Sequence, residues 1–263
     1  MKPNRDYSLM NEAEITSADT SDWIAVLPLG AHEQHGPHLP FETDTIIAKG
    51  MACALAERVP ENLPVTFLPT EPIGYSIEHM DFEGSQTFSF DEAVKRWIDI
   101  GEKLASQGIR KMMILNAHGG NSPLMTIVAT ELRVRCNMLC VATSWTRFIV
   151  AGDVVSHDEK AFGIHGGDIE TSVVLALAPD QVDMDKAENF SNFQEKLSEE
   201  NKYLRAYGPH AFGWKAQDLN AQGVNGDASL ATVAKGEALI AQSANGLAEL
   251  IEEIHKFDMA ILT

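Results

Sequence analysis

The residues with the greatest chemical capacity gather in three short, glycine-containing stretches. The first, Gly30-Ala-His-Glu-Gln-His-Gly-Pro-His-Leu-Pro40, sets Glu33 and His35 two apart and is followed closely by Asp44. The second, Asn116-Ala-His-Gly-Gly-Asn121, carries His118, and the third, Gly163-Ile-His-Gly-Gly-Asp-Ile-Glu-Thr-Ser172, carries His165 and Glu170. Carboxylate and imidazole are the donors from which hydrolytic zinc or manganese sites are built, and one aspartate can bridge two ions through its two oxygens. A lone histidine near a strand end is more often a satisfied polar group than a ligand, and the chain has nine. The joint pattern weighs differently. Glu33, His35, Asp44, His118 and Glu170 lie on separate segments that one fold can bring together, and such a cluster has few structural reasons to exist without an ion. His32 and His38 flank the first stretch and read as outer or surface residues.

These stretches sit between regular elements. Trp23–Leu29 is a short apolar run ending at Gly30, and 43–58 carries Ile47, Met51, Ala54, Leu55 and Arg58 at helical spacing. Val65–Leu68 reads as a second strand. Ser89 with Glu92 is a capping-box signature that opens a helix running to Gly108. Lys111–Asn116 is a third strand, and Asn121 or Ser122 with Pro123 marks the next helix start. A fourth strand is expected over 138–143, a helix over 168–178 stopped by Pro179, and an amphipathic closing helix over 236–257. Residues 183–230 are the least regular part. Strands alternating with helices predict an α/β fold, a three-layer α/β/α sandwich with a mostly parallel central sheet, in a single domain spanning 1–263. In such sheets ligands collect beyond the carboxyl ends of the strands, where the loops after Leu29 and Asn116 emerge.

Bulk composition removes several alternatives. The chain has 263 residues, 44% of them hydrophobic, enough for a substantial core. A formal charge of -18 would repel polyanions, so neither nucleic acid nor an anionic membrane is an expected partner. No apolar stretch reads as a secretory signal or a membrane span, and a cytoplasmic location is the expectation. The three cysteines, Cys53, Cys136 and Cys140, form no dense framework and read as reduced thiols, the last two as core residues rather than zinc ligands. A nucleotide-binding reading fails because the turn after Leu29 lacks the G-x-G-x-x-G spacing.

Together, Leu27-Pro-Leu-Gly-Ala-His-Glu-Gln-His-Gly-Pro-His-Leu-Pro40, Thr43-Asp44, Asn116-Ala-His-Gly-Gly-Asn121 and His165-Gly-Gly-Asp-Ile-Glu-Thr-Ser172 resemble the creatininase (creatinine amidohydrolase) family, in family order. The resemblance implies two divalent metal ions per subunit (Zn, Mn or Fe), with Glu33, His35, Asp44, His118 and Glu170 at the ligand positions and Asp44 shared. It also implies a homohexamer. The expected chemistry is hydrolysis of a C–N bond in a cyclic amide, formamide or similar small molecule. Ions there would lower the pKa of water toward about 7. His165, beside Glu170 in the same stretch, is the expected proton donor to the leaving nitrogen, the competing role being to brace Glu170.

The family also acts on formylaminopyrimidines, modified peptides and cyclic ketones, so substrate is less determined than mechanism. Creatinine-hydrolysing members carry a Glu where this sequence has Gly120, which speaks against creatinine itself. Trp145 and Trp214 could stack on a planar ring or be core. His210, Trp214 and Asp218 belong to a glycine- and aromatic-rich segment that reads as an active-site rim or a subunit contact. Two alternatives remain: a non-catalytic metal-binding or assembly protein, and a mononuclear amidase using Glu33, His35 and His118.

Overall fold

The computed structural model describes residues 2–262. In chain order its elements are α1 (Glu12–Ser17), β1 (Ile24–Leu29), α2 (Thr43–Arg58), β2 (Val65–Phe67), α3 (Phe90–Ser106), β3 (Lys111–Asn116), α4 (Ser122–Cys136) and β4 (Leu139–Ser144). These are followed by α5 (His157–Phe162), α6 (Asp168–Leu177), β5 (Asn189–Phe190), α7 (Phe193–Glu200), α8 (Ala216–Leu219), β6 (Gly226–Asp227) and α9 (Val233–Lys256). Short 3₁₀ turns punctuate the loops, among them Ile77–His79 and Gly119–Asn121.

The central sheet is four-stranded and wholly parallel, in the order β2-β1-β3-β4. Strands β1 and β3 are buried along their whole length, as expected of strands covered on both faces. Alternation assigns their side chains. Ile24 and Val26 face one core with Met51, Leu55, Val173, Leu247 and Ile251 from α2, α6 and α9. Ala25, Leu27 and Leu29 face the other with Trp97, Leu104, Val128 and Leu132 from α3 and α4. Each fully buried large aliphatic side chain contributes roughly 1.5–3 kcal/mol by leaving water, so the two layers jointly hold the strand ends in place.

Local signals behave as the residues predict. Ser89 and Glu92 form the reciprocal capping box at the start of α3. Asn137, in the left-handed region at φ 51°, ends α4. The closing helix begins earlier than its apolar pattern, because the Thr232 hydroxyl accepts from the Lys235 amide and caps a polar first turn. The irregular region 183–230 contains what periodicity did not reveal: the short helices α7 and α8 and an antiparallel pair, β5 with β6. Both β5 and β6 are two residues long, too short to show alternation. Among the described residues no helix is long and apolar enough to cross a membrane.

Candidate metal centre

The chain crosses from β1 to β2 on one side and to β3 on the other, so the crevice between β1 and β3 is the point where strand order reverses. The loops leaving these two strands carry Glu33, His35 and His118. Their approach to α2 depends on Gly30, where a Cβ would lie 2.6 Å from the Thr45 hydroxyl and 2.7 Å from the Thr45 Cα. The Glu33 amide donates to the Phe41 carbonyl and closes the first loop (3.0 Å). Asp44 is in the first turn of α2, where the helix dipole favours a carboxylate. The Asn116 side chain grips the second loop, accepting from the His118 amide and donating to its carbonyl. Glu170 lies in the first turn of α6, and one of its oxygens accepts from the Gly166 amide (2.6 Å).

The structure brings all five together. Asp44 Oδ1 is 3.6 Å from His35 Nε2, and Asp44 Oδ2 is 3.5 Å from His118 Nδ1. Glu170 Oε2 lies 3.8 Å from the same His35 nitrogen, and Glu33 Oε1 lies 3.1 Å from the same His118 nitrogen. Two donor groups therefore share Asp44: His35 with Glu170, and His118 with Glu33. Ion–donor bonds of about 2.0–2.2 Å put donors of one ion roughly 3–4 Å apart, which is the spacing seen. Both oxygens of Glu33, Nε2 of His35 and Oδ2 of Asp44 are buried without a hydrogen-bond partner among the described residues. Leaving such groups unpaired costs several kcal/mol, and a cation among them offsets it. The donor set thus fits a pair of divalent ions.

His165 reaches the same cluster. Its Nε2 donates to the Gln34 carbonyl (2.7 Å), which leaves Nδ1 facing Glu33 Oε1 at 3.5 Å. Its ring packs against His35 on one side and His79 on the other, at 4.1 and 4.4 Å between centroids. His79 and Glu78 are the functional candidates that sequence reasoning missed. His79 Nε2 is 3.5 Å from Glu33 Oε1, and Glu78 Oε1 is 3.8 Å from His118 Nε2. Both sit in the long irregular loop between β2 and α3. Their only signal was an adjacent acid–imidazole pair away from any strand tip.

Charge in the cluster is strongly redistributed. Burial opposes a charged His118, but Glu33 and Asp44 override it and raise its pKa well above the usual value. Burial likewise opposes a charged His35, yet Asp44 and Glu170 lift it to about 9. For Glu33, burial is outweighed by His118 and His79, and its pKa falls well below the usual range. Burial dominates elsewhere: it raises Glu170 to about 7, lowers His79 to about 4, and with His35 and His79 nearby lowers His165 well below its usual value.

A cavity of about 380 Å³ opens beside the cluster, with Glu78, His79, His118 and His165 on one wall and Tyr75, Tyr207 and Trp214 among its aromatic lining. The Trp214 indole N–H donates to the Ala206 carbonyl (2.8 Å), which anchors that wall. Trp145, the other tryptophan considered for ring stacking, is a core residue at 1% exposure; it caps the end of β4 and packs in the layer with α9. Asp218 accepts from the Lys215 amide and starts α8, and His210 is an exposed turn residue at φ 61°. His32 stacks on Phe41. His38 is buried rather than superficial, its Nε2 within 3.0 Å of the Gly166 carbonyl and the Thr171 hydroxyl, and so it ties the first stretch to the third. The cysteines are free, with burial pushing the Cys140 thiol up to about 12.

The creatininase family, described as creatinine amidohydrolase, matches residues 8–251. The chain belongs to the creatininase family. Among its relatives, the mycofactocin precursor peptide peptidase of Mycolicibacterium smegmatis is 30% identical over 231 residues, covering 87% of this chain and 84% of that protein. The creatinine amidohydrolase of Pseudomonas putida is 27% identical and covers 92% of each chain. A 2-amino-5-formylamino-6-ribosylaminopyrimidin-4(3H)-one 5'-monophosphate deformylase of Methanobrevibacter smithii is 28% identical over 195 residues, covering 68% of this chain and 73% of that protein. A solved structure named "Creatininase Mn" shares the fold, with a TM-score of 0.76 and 23% identity over 97% of this chain and 100% of the other. Creatininase-family relatives are hydrolases, and creatininase structures are named with Mn and with Zn-Zn.

Proposed function

We propose that this creatininase-family protein is a metal-dependent amidohydrolase that cleaves a C–N bond in a small amide, with two divalent ions per subunit drawn from Zn, Mn or Fe. The observation that carries it is Asp44, whose two oxygens face His35 and His118 separately. Glu33, Asp44 and His118 would hold one ion, and His35, Asp44 and Glu170 would hold the other. Ions bound there would polarise a scissile carbonyl and supply hydroxide near neutral pH.

The chain's own residues do the rest. His165 is kept neutral by burial, so its Nδ1 accepts a proton as water attacks and returns it to the leaving nitrogen. The Gln34 carbonyl holds the ring by its other nitrogen and sets that tautomer. Glu170, in turn, is oriented by the Gly166 amide. Tyr75, Tyr207 and Trp214 give the cavity an aromatic lining for the substrate's planar part.

Cyclic amides and formamides are the first substrates to test; creatinine ranks below them because no side chain stands at Gly120. A peptide substrate is the second reading, favoured by the 30–31% identity to mycofactocin precursor peptide peptidases. Purified protein, stripped with chelator and reloaded with Zn, Mn or Fe, should regain turnover against one of these classes at two ions per subunit. Silence across the whole panel with two ions bound would favour a metal-binding or assembly protein, and activity at one ion a mononuclear amidase. Two features support assembly into a homo-oligomer, a hexamer in this reading, in a reducing cytoplasm: Ile127 and Val134 are exposed seven residues apart on α4, and the thiols are free. Sedimentation equilibrium tests the first.

A further inference from the structure

Of the donors Glu33, Asp44 and His118, the last lines the cavity, and the creatinine-hydrolysing pattern would add a carboxylate beside it from position 120. Here that position is closed to any side chain. A Cβ on Gly120 would lie 2.3 Å from the Tyr75 carbonyl oxygen and 2.7 Å from Glu78 Oε1. The space is filled by the 3₁₀ turn Ile77–His79, the backbone leading into it and the His118 ring, whose Nε2 would lie 2.5 Å away.

That turn brings its own carboxylate to the same place. Glu33, Glu78 and His118 each offer a donor atom, and these atoms lie within 4.8 Å of one another. Donors of one ion are expected roughly 3–4 Å apart, so ligation requires the Glu78 side chain to move from its contact with His118 Nε2 toward the side on which Nδ1 meets Glu33 and Asp44. Glu33 is fully buried with both oxygens unpartnered, so the group points at a cation and not at a network of hydrogen bonds. Glu78 stands at its cavity edge, with a side-chain exposure of 15%.

Resting on the two-ion reading above, we infer that Glu78 is a ligand of the cavity-side ion, supplied from the β2–α3 loop in place of a carboxylate on the His118 loop. Gly120 and Glu78 then form one arrangement: the absent side chain leaves room for the turn that carries the acid. The ion beside His35 and Glu170 receives nothing from this turn.

The test is metal binding, read without turnover. Metal-stripped wild type, Glu78→Gln and Glu78→Asp are titrated calorimetrically with Mn2+, and the melting temperature of each apoprotein is recorded. The wild type should take two ions per subunit. Both variants should keep one ion at unchanged affinity and bind the second more than about a hundredfold more weakly, beyond the roughly 10–100-fold that losing a group which only braces a ligand costs, with apoprotein melting close to wild type. Glu78→Asp separates ligation from mere charge, since it keeps the carboxylate but shortens its reach. Wild-type affinities in Glu78→Gln, or in Glu78→Asp alone, would overturn the inference. A wild type that binds fewer than two ions would instead remove the two-ion reading, and this inference with it. Should Glu78→Gln unfold, Glu78→Asp decides by the same comparison.

Discussion

The two halves of the polar cluster differ in how they are built. His35, Glu170 and one oxygen of Asp44 form the inner half: His35 and Asp44 are each 1% exposed, and Glu170 is held by the Gly166 amide on a helix packed into the core. Glu33, His118 and the other oxygen of Asp44 form the outer half, where His118 lines the cavity together with Glu78, His79 and His165. The half with His35 rests on the α2–α6–α9 layer, although Glu170 keeps 12% of its side chain exposed, whereas the half with His118 borders the cavity and an irregular loop. Such a division suits a hydrolase, because a substrate carbonyl must reach one side of the centre while the other stays rigid.

The comparison breaks most completely at its shared residue. Asp44→Asn should abolish uptake of both ions and reduce turnover by at least about 10³-fold, the order expected when an electrostatic centre is dismantled; metal analysis per subunit and initial rates check it. His165→Gln comes next. It should retain both ions and lose about 10²–10⁴-fold in kcat, the usual worth of a positioned proton-transfer group, and a variant that loses metal instead would make His165 a brace or ligand. Trp214→Ala removes a cavity wall, with its hydrogen bond to the Ala206 carbonyl, but no donor of the cluster, and should act on KM, raising it about tenfold with little change in kcat, as lost uniform binding does.

The smallest effect separates packing from chemistry. His38 carries no proposed step, and burial lowers its pKa to about 4. In the unfolded chain the imidazole protonates near the usual value of about 6.5. Unfolding therefore takes up a proton between those values, so metal-stripped protein should lose stability as pH falls from about 6.5 to about 4. His38→Asn should flatten that slope in denaturant titrations at a series of pH values. His79 and His165, also lowered by burial, add to that slope, and Glu170, raised to about 7, opposes it, so the readout is the difference between His38→Asn and wild type.

Much of this centre was visible in one dimension. Glu33, His35, His118 and Glu170 follow strands or open helices, and such positions carry strong local signals: an apolar run, a glycine, then polar donors. β3 was delimited to the residue, and α3 was announced by its Ser89 and Glu92 pair. Glu78 and His79 were hidden because a one-turn 3₁₀ segment has no periodicity, and nothing local says that it folds back over His118. Trp145 and Trp214 show the same limit in another form. Both are tryptophans near polar stretches, yet one is enclosed by α9 and the other lines the cavity.

By itself, then, the order of residues determined the layers, the strand ends and the donor types, since hydrophobic periodicity and capping act over a few neighbouring positions. Tertiary structure alone decided which oxygen of Asp44 faces which imidazole, which nitrogen of His165 is free, and that a distant turn supplies a further acid beside Gly120. Those are contacts between segments tens of residues apart, set by packing against a sheet whose strand order no local pattern encodes.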